Sequence, residues 1–132
     1  MTEHPACAPA QSAQSKDWLR RPVGIIFWWG IPIALGVSTN FLGLSLTQTA
    51  AIWAGSFAWM GTGCTLNARR CGRRHCYISG PLLWLGGIAA GLVALQVISG
   101  RNVLGEVVNG TAALAALTFL SECIWGTYAA KK

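Results

Sequence analysis

Charge is what this chain has least of. Only 11% of its 132 residues are charged, where soluble domains average about 25%. Acid is scarcer still, with four Asp and Glu against ten Lys and Arg. A deficit of this size excludes an ordinary water-facing surface and points to lipid as the solvent. Cys-x-x-Cys is absent, and so is any paired acid–base or nucleophile–base set. These absences argue against an enzyme and weaken a membrane thiol oxidoreductase, which stays as a third reading.

What is there is mostly apolar. Residues 22–68 and 77–100 carry no charged side chain, and 107–130 carries only Glu122. A bilayer core needs about 20 apolar residues per helix, and backbone groups in lipid must be satisfied within the segment. The chain therefore reads as an all-α, integral membrane four-helix bundle with spans at about 23–41, 46–66, 81–99 and 109–129. Residues 1–15 read as a disordered polar tail, and 16–132 as the membrane domain. In the tail, His4 and Cys7 read as a chance pair.

The basic residues set an orientation. Lys16, Arg20, Arg21, Arg69, Arg70, Arg73, Arg74, Lys131 and Lys132 fall on one side of four spans, and only Arg101 on the other. The positive-inside rule makes that side cytoplasmic, with both termini inside and the chain in the inner (plasma) membrane. Topology and anionic lipid headgroups account for the net charge of +6, with no nucleic acid partner needed.

Local signals mark the helix ends and faces. Pro32 beside Gly30 predicts a kink in the first span. Asn40 and Gly43 bracket a turn. The second helix should run on to about Arg70 or Cys71 and stop at Gly72, with Arg69 and Arg70 at the negative end of its dipole. Ser79-Gly80-Pro81 should open the third helix, proline being at home in a first turn. Gly87 and Gly91 form a small-residue packing face. On the fourth span, Thr111, Ala115, Thr118 and Glu122 share a stripe turned toward the bundle.

The densest chemistry lies at 64–76, Cys-Thr-Leu-Asn-Ala-Arg-Arg-Cys-Gly-Arg-Arg-His-Cys. It holds three of the five cysteines, one of the two histidines and four of the ten basic residues. Cys64, Asn67 and Cys71 share a helical stripe, with His75 and Cys76 one turn later. Cys123 and Glu122 approach the same level from the fourth span. Thiolates with imidazole select soft cations, and Arg69, Arg70, Arg73 and Arg74 favour the thiolate form. Cys64, Cys71, His75, Cys76 and Cys123 are the candidate ligands, and a soft metal ion the candidate cofactor or cargo. The arginines equally suit insertion topology and anionic lipid. Glu122, costing about 2.5–3.5 kcal/mol near mid-bilayer, is an intramembrane acid with a functional reading by default. Thr62, Thr65 and Asn67 are its candidate partners.

The run 67–81, Asn-Ala-Arg-Arg-Cys-Gly-Arg-Arg-His-Cys-Tyr-Ile-Ser-Gly-Pro, resembles a motif in small prokaryotic multi-pass membrane proteins of no established activity. More loosely, the chain is similar to the four-span inner-membrane proteins that carry mercuric ions in mercury-resistance systems. That resemblance implies soft-cation transport using cytoplasmic-side cysteines. Those transporters also present a cysteine pair in their first span, where this chain has none. The expected function is binding or handling of a soft, mercury-, zinc- or copper-like cation. The alternative is a non-catalytic accessory subunit, in a homo-oligomer or a larger membrane complex.

Overall fold

The structure, a computed structural model, describes Asp17 and residues 21–125, without the side chains of Cys71, Ser121, Glu122, Cys123 and Trp125. The expected tail at 1–15, with His4 and Cys7, lies outside the described residues, as do Lys16, Arg20 and the C-terminal lysines. Among the described residues the chain is helical and without strands. Its four helices are α1 Pro22–Ser38, α2 Leu46–Cys71, α3 Arg74–Ala94 and α4 Arg101–Trp125.

In α1, the expected disturbance at Gly30–Pro32 takes the form of a π-helical segment at Ile26–Gly30. There the Ile31 N–H donates to the Ile26 carbonyl. Pro32 has no N–H to give the Trp28 carbonyl, and a wider turn absorbs the missing bond without breaking the rod. The helix ends at Ser38 rather than reaching 41. Thr39 then turns its hydroxyl back onto the Gly36 carbonyl at 2.6 Å, and the chain bends through Gly43 at φ +60°.

Helix α2 starts from a capping box. The Ser45 hydroxyl accepts from the Gln48 N–H, and the Gln48 side chain accepts from the Ser45 N–H. It ends at Gly72, whose φ of +70° and N–H bond to the Ala68 carbonyl close the last turn. Arg69 and Arg70 occupy that turn, where they complement the helix dipole. Its buried stripe runs through Ala50, Phe57, Met60, Cys64 and Ala68.

The third helix differs from expectation. It starts at Arg74, and Pro81 lies inside it rather than in its first turn. Gly72 reverses the chain so tightly that a new helix can begin at once. The helix also buries His75, Cys76, Ser79 and Gly80 together. Pro81 removes the donor for the Tyr77 carbonyl, but both residues are exposed, so the buried side is undisturbed. At its far end Val97 N–H donates to Leu92 O and Gln96 N–H to Val93 O. This is a Schellman closure with Gln96, not glycine, at φ +60°. Helix α4 begins at Arg101, earlier than the span expected at 109. Arg101, Asn102 and Glu106 all sit on its exposed side.

Helices α2 and α3 form the most intimate pair, α4 packs chiefly on α3, and α1 packs on α2. The small residues explain the closeness. A Cβ at Gly87 would come within 3.2 Å of the Ala54 carbonyl oxygen, and one at Gly86 within 2.5 Å of Thr111. Gly91, by contrast, faces open space. Thr111, Ala115 and Thr118 of α4 are buried.

Among the described residues two helices, α3 and α4, are long and apolar enough to cross a membrane, each with a window of mean hydropathy 1.6. In α4 only 17% of that window is buried within the chain. Helix α1 rises only about 25 Å against a hydrocarbon core of about 30 Å. Helix α2 is long enough, but Thr47, Gln48, Thr49, Ser56, Thr62 and Thr65 dilute its apolar character.

Candidate functional site

The tight turn between α2 and α3 dictates the site. Two residues, Gly72 and Arg73, separate the helices, so the last turns of α2 face the first turns of α3. Cys64 and Asn67, at i and i+3 on α2, share a face. His75, Cys76 and Ser79 share the opposing face of α3. All five are at most 1% exposed.

The two thiols, Cys64 and Cys76, lie in one buried cluster, and both are free. His75 Nε2 lies 3.3 Å from Cys76 Sγ. The imidazole stacks on Phe119 of α4, ring centres 4.2 Å apart and planes 30° apart. Asn67 Nδ2 reaches the same sulfur at 3.8 Å. Beside Cys64 sits Ser79, whose buried hydroxyl makes no hydrogen bond within the described residues. Buried hydroxyls are rarely left so. A thiol pair flanked by an imidazole and an orphan hydroxyl is a buried concentration of polar groups at the basic end of the bundle.

Asp17 closes the cluster from below. Its side chain is wholly buried, accepting from Asn67 Nδ2 at 3.0 Å and pairing with Arg73 at 3.0 Å. Asp17 carries no motif; it is one acid in a basic lead-in. Only its burial shows that it belongs to the site. Arg73 therefore has a protein partner. Arg69 and Arg70 are exposed and Arg74 half-buried.

Of the five candidate ligands, Cys64 and Cys76 share one buried cluster, and His75 lies against Cys76. The side chains of Cys71, Cys123 and Glu122 lie outside what the structure describes. Thr62 and Thr65 turn their hydroxyls back onto their own helix, to the Ala58 and Gly61 carbonyls at 2.7 and 2.8 Å. Among the described residues no three His, Cys, Asp or Glu side chains are grouped so as to hold a metal ion. A four-ligand tetrahedral site of the kind zinc prefers is therefore not built from them. Two adjacent sulfurs can still offer a cation a pair of thiolates.

Comparison with protein-family models, curated proteins and solved structures finds no match to this chain.

Proposed function

We propose that this chain is a four-span membrane protein that binds a thiophilic cation between Cys64 and Cys76, at the basic, cytoplasmic end of its bundle. The observation that carries the reading is the buried Cys64–Cys76 pair with the unpartnered Ser79 hydroxyl beside it. Two thiolates suit soft cations that accept two ligands in line, such as Cu(I) or Hg(II), over those that need four. His75, 3.3 Å from Cys76, accepts one of the two thiol protons that metal capture displaces, and the other leaves to solvent. Cys71 and Cys123 are the further sulfurs near enough in sequence and topology to join.

The membrane assignment is supported by the apolar, largely unburied α4 and by the exposed Leu85, Ile88, Leu114, Leu117 and Leu120 on α3 and α4. Nine of ten basic residues at one end support termini in the cytoplasm. Under this reading α1 and α2 cross in company with α3 and α4, their shortness and polarity masked by neighbours.

The test is titration of reduced, detergent-purified protein with Cu(I), Hg(II) and Zn(II), following bound metal and released protons. About one soft cation per chain is expected, with proton release. Cys64→Ser and Cys76→Ser each remove it, and Cys7→Ser does not. Equal binding by the parent and the Cys64→Ser/Cys76→Ser double variant would sink the proposal.

The second reading is a non-catalytic subunit of a larger membrane complex. It is favoured by Gly91, Gly105 and Gly110, which present bare backbone with nothing within 4 Å of their missing side chains. Such positions allow close approach by a partner helix.

A further inference from the structure

The end of the bundle away from the thiols holds a cleft. Helix α1 packs on α2, and α4 packs on α3, so α1 and α4 diverge over one face of α2. Toward the thiol end the gap narrows to an aromatic contact, Trp29 to Phe119, with ring centres 6.2 Å apart. Toward the other end it widens into a cavity of about 520 Å³, within the size range of small-molecule sites.

Its lining is amphipathic in a particular order. Trp53, Leu104 and Val108 form apolar walls. Asn40, Asn109 and Arg101 add polar groups, and no carboxylate among the described residues lines the space. Among the described residues Arg101 is the lone basic residue at this end, and it makes no ion pair with another of them. One unmatched cation above an apolar slot complements one anion above an apolar chain.

We propose that this cleft binds a single anionic phospholipid, its phosphate at Arg101 and an acyl chain between α1 and α4. A guanidinium at the mouth of an apolar slot offers a phosphate charge-assisted hydrogen bonds, which arginine makes well. The inference rests on the membrane reading but not on the metal site. Arg101 then has a role beyond topology, which would favour its absence from this end. Gly105 leaves the slot open, because a Cβ there meets nothing within 4 Å.

The test is native mass spectrometry of the detergent-purified full chain with added phosphatidylglycerol, phosphatidylcholine or glycerol phosphate. The parent should retain phosphatidylglycerol over phosphatidylcholine. Arg101→Gln should weaken that retention about fivefold, and Arg101→Lys should restore most of it. Gly105→Leu should weaken retention of both lipids by filling the slot. Arg70→Gln, at the opposite end, should leave retention unchanged. Circular dichroism and melting temperature confirm that each variant is folded. Equal retention by the parent and Arg101→Gln overturns the proposal, as does full competition by glycerol phosphate, which has no acyl chain. If alkaline carbonate releases the chain from membranes, it is the membrane reading that fails. If detergent is required and retention ignores Arg101, only the cleft assignment fails.

Discussion

Asp17 reaches Arg73 across the turn that joins α2 and α3, carboxylate to guanidinium at 3.0 Å, with the acid wholly buried and the base 18% exposed. The pair ties the segment before α1 to the reversal that positions His75 and Cys76. Asn67 links the two parts, donating to Asp17 at 3.0 Å while lying 3.8 Å from the Cys76 sulfur.

Breaking this tie should cost more than a surface ion pair. Arg73→Gln leaves a buried carboxylate short of its cation, and about 2–3 kcal/mol of stability should be lost, less than for a fully buried pair. The Asp17→Asn/Arg73→Gln double variant should recover part of it. Thermal unfolding in detergent measures both. A double variant as unstable as the sum of its parents would mean the two residues act independently.

The glycines of α3 separate by neighbour. Gly87→Leu drives a side chain into the α2 backbone, and Gly86→Leu collides with Thr111. Each should lower the melting temperature, with about 1–3 kcal/mol of stability lost to overpacking. Gly91→Leu should leave the melting temperature of the isolated chain unchanged. If Gly91→Leu instead destabilises it as Gly87→Leu does, Gly91 is packed within the chain.

Gln96 occupies a left-handed position that glycine fills without strain. Gln96→Gly should stabilise the chain by roughly 0.5–1 kcal/mol. The loss of the long contact from Gln96 Nε2 to Thr47, 3.4 Å, offsets little of that. A lower melting temperature for Gln96→Gly would show that the side-chain contact outweighs the backbone strain.

Topology follows from the charge pattern. A reporter active only outside the cytoplasm should be silent when fused at Lys132 and active when inserted in the turn at 39–43. The reverse pattern would put the thiols in an oxidising compartment and remove the basis for a reduced site.

The helices were legible because their signals are local. Gly72 adopts the left-handed cap expected of it, and the uncharged runs mark the helices. The early start of α3 was not legible, because Pro81 advertises a helix beginning, and only the burial of His75 and Cys76 against α2 outweighs that preference. The approach of Cys64, His75 and Cys76 follows from helical spacing and a short turn. Asp17 does not follow, because its place depends on a tertiary contact with residues 50 and 56 positions away, which no periodicity encodes.

X-ray absorption at the metal edge of the Cu(I)-loaded, reduced chain reads the ligands of the bound cation. A first shell dominated by two sulfurs is expected. That shell should vanish in Cys64→Ser/Cys76→Ser and persist in Cys7→Ser. A first shell of nitrogen and oxygen alone, or a sulfur shell that survives the double substitution, would contradict it.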